Sequence, residues 1–169
     1  MAVKNSTQHS QVIRQIVNIG KRAGFAVYVG KREQPEATED GTLLRDIASL
    51  QTLVPVQSLY DPRQLERIEM IDVVWLSERD SRIKCIFEVE NSTGFTSAIV
   101  RGSNIEKDTP KFMIVPANRE KELQSIQDPL FLTSFRENNW RYTTYENIIR
   151  LMGYSSPSIS EVERVSKSL

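Results

Sequence analysis

The spacing of apolar side chains changes along the chain between a helical period and an alternating one. Val12, Ile13 and Ile16 fall at helical spacing within residues 8–23, and Gly24 is suited to end that helix. Short runs rich in β-branched and aromatic residues predict strands at 25–29, 70–77, 82–90, 111–116 and 140–144. Strands and helical segments in this order predict an α/β sandwich, with a central mixed β-sheet flanked by helices.

Most segments between the strands are predicted as helices. Helical patterns cover residues 43–50, 61–68, 92–107, 118–126, 129–138 and 145–153. Residues 30–42 are polar and predict a loop, and residues 52–56 predict an extended piece that Pro55 confines to a sheet edge. We expect one domain over residues 1–154, followed by a Ser-rich tail over 155–169 that forms either a frayed helix or a partner-binding arm.

Composition excludes several classes of function. A chain of 169 residues with 39% hydrophobic and 26% charged residues is ordinary for a soluble globular domain. The single histidine and single cysteine exclude a structural zinc site and give poor support to a serine-, cysteine- or histidine-based triad, so carboxylates would carry any catalysis. No apolar run reaches the roughly 18–20 residues that span a bilayer, and the polar N-terminus lacks the apolar core of a signal peptide. We therefore expect a cytoplasmic protein with no membrane partner.

Positive charge is concentrated near the start of a chain whose net charge is zero. Lysine or arginine occupies six positions before Glu33, which is the first acidic residue. This basic segment either faces a polyanion such as nucleic acid or is the solvated surface of an ordinary helix and turn. Charge alone leaves both interpretations open.

Three acidic residues are predicted to converge at one edge of the sheet. Glu88 and Glu90 point to one face of their strand because side chains alternate, while Val89 faces the opposite side. The residues ERDS predict a hairpin turn back to the preceding strand, so Asp72 at its start is expected beside Glu88 and Glu90. Carboxylates this close raise each other's pKa, and a divalent cation such as Mg²⁺ relieves their repulsion. Alternation also fits a solvent-exposed strand face, but Ile86 on the same face favours the rim of a cleft.

This arrangement resembles the core motif of the PD-(D/E)XK nuclease superfamily, which has the restriction-endonuclease-like fold. Asp72 in MIDVVWL matches the first acidic position and Glu88 in FEVEN matches the second. Glu90 stands where the motif usually has lysine, a variant that some restriction enzymes carry. The wider context is similar to a group of restriction-endonuclease-like proteins, with a helix from His9 that ends in NIGKRAG and a helix with Arg101 after FEVENST.

The resemblance implies a Mg²⁺-dependent endonuclease that hydrolyses DNA phosphodiester bonds, in which Mn²⁺ can replace Mg²⁺. It assigns the metal to Asp72, Glu88 and the carbonyl of Val89. It makes Glu90 a general base or a ligand of a second metal. The expected contacts to phosphate or DNA are Arg101, Ser92, Thr93, His9 and Gln15, although each also fits a helix cap or an exposed helix face. A homodimer and a role in restriction or defence complete the expectation.

Two alternatives remain at this stage. Glutamate in place of the motif lysine, together with the zero net charge, also fits a non-catalytic nucleic-acid-binding relative of the nucleases. The acidic cluster also fits a protein-interaction module, in which exposed carboxylates bind a basic partner. DNA cleavage, DNA retention without cleavage, and neither of these would distinguish the three functions.

Overall fold

Five strands form one mixed sheet in which spatial order follows chain order. The strands are β1 (Ala26–Val29), β2 (Val73–Leu76), β3 (Ile83–Val89), β4 (Lys111–Val115) and β5 (Trp140–Thr144). Neighbours β1, β2 and β3 run antiparallel, whereas β3, β4 and β5 run parallel. The structure, a computed structural model, describes residues 7–91, 94–154 and 157–169. The five predicted strands and the hairpin between β2 and β3 are therefore confirmed.

Helices cover both faces of the sheet. They are α1 (Gln8–Arg22), α2 (Leu44–Ile47), α3 (Pro62–Ile68), α4 (Thr96–Gly102), α5 (Glu120–Gln124), α6 (Pro129–Glu137), α7 (Tyr145–Leu151) and α8 (Ile159–Arg164). Local sequence determines where helices start. At the start of α3, the Asp61 side chain accepts a hydrogen bond from the Gln64 amide. Pro62 follows at the first helical position, where its lack of an amide hydrogen costs no hydrogen bond. None of the helices in the described ranges has the length and apolar character needed to cross a bilayer.

Two hydrophobic clusters pack on opposite faces of the sheet. On one face, α1, α7 and α8 cover β-strand side chains that include Trp75 and Phe87. On the other face, side chains of α3, α4, α5 and α6 surround a second cluster that includes Ile86 and Trp140. Both tryptophans are buried core residues. The predicted α/β sandwich with a mixed sheet between helical layers is confirmed.

Two local predictions are wrong. The segment predicted as extended over 52–56 instead enters a 3₁₀-helix, Val54–Leu59, because Pro55 stands in its first turn, where its missing amide and fixed φ suit helical backbone. The helix predicted over 92–107 is shorter, since α4 ends at Gly102. The side-chain amide of Asn104 donates to the last carbonyls of α4, and the ring of Trp140 fills the space that a Cβ at Gly102 would occupy.

The C-terminal residues pack against the same sheet. After α8, Lys167 exchanges two backbone hydrogen bonds with Tyr142 of β5, at 2.8 and 2.9 Å. Arg141 donates to the side chain and the carbonyl of Ser166. An unpaired edge strand is a site for unwanted association, and these contacts cover the edge of β5. The segment predicted as a Ser-rich tail thus contributes a helix and an edge contact.

Candidate functional site

The antiparallel register of β2 and β3 brings the three predicted carboxylates together at one edge of the sheet. Val73 pairs with Phe87, so Asp72, which precedes β2, lies beside the end of β3. The amide of Val89 donates to Oδ2 of Asp72 at 2.7 Å. Glu88 and Glu90 extend to the same face of β3 as Ile86, as the alternation of strand side chains requires.

A cleft with a volume of about 560 Å³ opens at this edge. Five residues of the predicted site line it: His9, Asp72, Val89, Glu90 and Arg101. Glu33 and Glu36, which no sequence motif indicates, also line it. Ser92 and Thr93, the predicted phosphate contacts, lie outside the described residues.

The carboxylates of the site are buried. The exposed fraction is 0% for Glu88, 3% for Glu90 and 4% for Asp72. The interpretation of this strand face as solvent-exposed is therefore wrong. An exposed acidic ligand for a basic partner protein is also disfavoured, because such a partner could not reach side chains buried to this degree.

Arg101 from α4 neutralises the most deeply buried carboxylate. Its Nε donates to Oε1 of Glu88 at 2.7 Å and its Nη2 donates to Oε2 at 2.8 Å, which is a two-point ion pair. The same Nη2 lies 3.9 Å from Oε1 of Glu90. Burial and the charge of Asp72 raise the pKa of Glu88 well above its usual value, and the ion pair with Arg101 opposes this shift.

His9 supplies a second positive charge beside Asp72. Thr7 caps the start of α1 and holds this part of the chain at the cleft. The Nε2 atom of His9 lies 3.8 Å from Oδ2 of Asp72, and Nδ1 lies 3.7 Å from Oε2 of Glu36. Burial by itself favours the neutral ring, but the two carboxylates raise the pKa of His9 to about 10. His9 is therefore protonated at neutral pH.

The charge on His9 has a measurable effect on stability. Its pKa of about 10 in the folded chain lies above the ordinary value of 6.5, so its stabilising effect is complete below about pH 6.5 and is lost as pH rises through about 10. We expect the free energy of unfolding of wild type to exceed that of His9→Gln, by a margin that shrinks as pH rises over this interval. Urea unfolding of both proteins measures the margin. A margin that stays constant with pH would contradict a protonated His9.

Glu33 is a site residue that sequence reasoning missed. It is 6% exposed, and its Oε2 has no hydrogen-bond partner among the described residues. Burial and the charge of Asp72 raise the pKa of Glu33 to about 8. The available signal was topological: β1 runs antiparallel to β2, so the turn after β1 returns beside Asp72, where the Gly30 amide donates to the Asp72 carbonyl at 3.0 Å.

Gln15 does not line the cleft. It follows His9 by six residues on α1, which places it about 9 Å further along the helix axis. Among the described residues its Oε1 atom is buried without a hydrogen-bond partner. The structure therefore does not bring Gln15 to the carboxylates with which it was grouped.

The oxygen atoms of the site suit a hard divalent cation, but His9 and Arg101 already pair with the carboxylates of Asp72 and Glu88. The carboxylates of Asp72 and Glu88 and the carbonyl of Val89 supply oxygen ligands of the kind that Mg²⁺ prefers. Within residues 7–91, 94–154 and 157–169, no three His, Cys, Asp or Glu side chains are arranged to hold a metal ion. Arg101 occupies both oxygens of Glu88, so a cation could reach Glu88 only after Arg101 moves away.

Comparison with known proteins gives a family match over nearly the whole chain. The model of the Type II restriction enzyme NmeDI C-terminal domain matches residues 1–165, which include every residue of the cleft. No curated protein and no solved structure matches the chain significantly. Because the match spans nearly the whole chain, the protein belongs to the restriction-enzyme-related family defined by the NmeDI C-terminal domain.

Proposed function

We propose that this chain is a metal-dependent endonuclease that hydrolyses DNA phosphodiester bonds, with a role in restriction or defence in the cytoplasm. The observation that carries the proposal is the convergence of three buried carboxylates, of which Asp72 and Glu90 line the cleft while Glu88 lies behind it, paired with Arg101. Membership of a restriction-enzyme-related family supports it. In this proposal the chain is a PD-(D/E)XK enzyme in which Glu90 replaces the motif lysine.

Asp72, Glu88 and the Val89 carbonyl would hold Mg²⁺, or Mn²⁺ in its place. When bound, such an ion lowers the pKa of water and stabilises negative charge on a phosphoryl group. Glu90 lines the cleft and would accept the proton of the attacking water. The hydroxyl of Tyr145 donates to the backbone carbonyl of Glu90 at 2.6 Å and fixes the backbone there.

Arg101 would transfer from Glu88 to the substrate. A guanidinium binds phosphate through the same two-point geometry that it uses with a carboxylate. A DNA phosphate entering the cleft would therefore compete for Arg101 and release Glu88. Protonated His9, with Ser92 and Thr93 as predicted, would add contacts to phosphate. A homodimer would present two such sites to the two strands of a duplex.

Supercoiled plasmid tests the proposal directly. With MgCl₂ or MnCl₂, wild-type protein should nick or linearise the plasmid, and EDTA should prevent this. Asp72→Ala should reduce the rate by at least about 100-fold, because it removes a negative ligand and unpairs the Val89 amide and His9. Asp80→Ala is the matched control: Asp80 lies in the β2–β3 hairpin, paired with Lys84 and outside the cleft, and its loss should leave cleavage unchanged.

A non-catalytic DNA-binding relative is the second candidate. The occupation of both Glu88 oxygens by Arg101 favours it, because a permanent ion pair would exclude metal from Glu88. In that case wild-type protein would retain labelled DNA in a gel-shift assay without cleaving it in Mg²⁺ or Mn²⁺. Cleavage that is equally fast in wild type and Asp72→Ala would instead refute the assignment of the site.

A further inference from the structure

We propose that the DNA backbone leaves the carboxylate cleft on one defined side, across a basic track formed by Arg101, Arg32 and Arg67. This inference rests on the proposed function and adds the path of the substrate. Within the cleft, the cations His9 and Arg101 already pair with carboxylates, so they offer a polyanion little unengaged positive charge. Binding therefore requires positive charge next to the cleft.

A second cavity of about 380 Å³ adjoins the cleft. The two cavities share Arg32 and Arg101 in their walls, so the surface is continuous from one to the other. The far wall of the second cavity comes from α3 and the turn after it, through Glu66, Arg67 and Met70. A chain of phosphates entering at Arg101 can thus follow this wall out of the cleft.

The outer arginines of the track are available to bind phosphate. Arg32 and Arg67 are exposed, and neither side chain forms a hydrogen bond or ion pair with any residue in the described part of the chain. By contrast, Arg14 is bound to Asp40 and Arg164 to Glu161. The described lining of the second cavity contains three guanidinium groups against one carboxylate, that of Glu66.

A third cavity, which meets the cleft at Asn91, offers no comparable path. Its arginine, Arg119, is held by the Glu122 carboxylate and by the carbonyl of Asn91, and Glu146 adds a negative charge. Of these two cavities that adjoin the cleft, the one lined by Arg32 and Arg67 therefore offers the more accessible positive charge to a DNA backbone.

The track extends beyond the cavity along α3. Arg63 precedes Arg67 by four residues, and residues at this spacing share one face of a helix. Arg63 is exposed as well. A backbone that follows Arg67 would therefore meet a further positive charge one helical turn away.

Fluorescence anisotropy with a labelled duplex oligonucleotide in EDTA tests the track separately from cleavage. Arg32→Ala/Arg67→Ala removes two cations that bind phosphate in this proposal. It should therefore weaken binding about 10-fold or more and reduce the slope of log K against log salt by about two. Arg79→Ala/Arg164→Ala is the matched control. It removes the same charge from two exposed sites outside both cavities, and should keep the wild-type slope.

The outcomes separate the track from the proposed function. Wild-type affinity and slope in Arg32→Ala/Arg67→Ala, or an equal loss in the control pair, would overturn the track while Asp72-dependent plasmid cleavage still stands. If wild-type protein neither retains nor cleaves DNA, both proposals fail. Thermal melting of each variant should match wild type, since the four arginines are exposed, so a change in slope reports weaker phosphate binding and not unfolding.

Discussion

Replacing Glu88 with glutamine is expected to reduce plasmid cleavage by about 1,000-fold while leaving the folded protein at least as stable as wild type. The loss of activity follows because a proposed metal ligand contributes several kcal/mol to stabilising the transition state. Stability is retained because glutamine removes a fully buried charge, and Arg101, which is 17% exposed, still lies 3.9 Å from Glu90. Cleavage kinetics and urea unfolding of the same preparations measure the two effects.

The matched control for Glu88→Gln is Glu122→Gln on α5. Glu122 also forms a two-point pair with an arginine, Arg119, but at an exposed site outside the carboxylate cleft. Its replacement should leave cleavage unchanged and have little effect on the free energy of unfolding, because an exposed ion pair contributes little. A Glu88→Gln variant that cleaves at the wild-type rate would refute the catalytic assignment. One that loses several kcal/mol of stability would show that the pair with Arg101 is primarily structural.

The part of the site that could be predicted from sequence depends on short-range rules. Alternation within one strand places Glu88 and Glu90 on a common face, and one hairpin turn is enough to bring Asp72 to them. Neither step requires knowledge of how helices pack. The same locality explains why the strands were predicted correctly, since their β-branched and aromatic runs are contiguous in sequence.

The rest of the site depends on tertiary contacts that sequence patterns do not encode. In the sequence, Glu33 is one residue of a predicted polar loop, and the pairing of β1 with β2 brings that loop beside Asp72. Sequence patterns predict Arg101 as a phosphate contact, but they do not show that it pairs with Glu88, which lies on another element 13 residues away in sequence. The burial of Glu88 likewise requires α4 to cover that face of the sheet, which alternation alone cannot show.

The two cations of the site have a common role. His9 lies beside Asp72, and Arg101 pairs with Glu88, so each carboxylate proposed to bind the metal has a positive partner supplied by a different helix. Such pairing allows the fold to form before a metal binds, because buried carboxylates without counter-ions are costly. It also means that metal and substrate must displace these partners. Phosphate can do so for Arg101, which links substrate binding to exposure of Glu88.

Replacing Arg101 with methionine is expected to cost about 3–5 kcal/mol of stability in EDTA, the opposite of the result for Glu88→Gln. The asymmetry follows from exposure: Arg101 can turn toward the cleft, whereas Glu88 is 0% exposed and would be left as a buried, unpaired charge. Urea unfolding measures the loss. Arg164→Met is the control, since it removes an exposed ion pair with Glu161 and should cost no more than about 1 kcal/mol.

Two further measurements connect this loss to Glu88. Glu88→Gln/Arg101→Met should recover most of the stability, because it removes the unpaired charge as well as its partner, and the double-mutant cycle then gives a large coupling energy. MnCl₂ should raise the melting temperature of Arg101→Met more than that of wild type, because Glu88 no longer has a competing cation. The double variant should lose that gain. If Mn²⁺ stabilises wild type and Arg101→Met equally, Arg101 does not compete with metal for Glu88, and its pairing with that carboxylate has no bearing on metal binding.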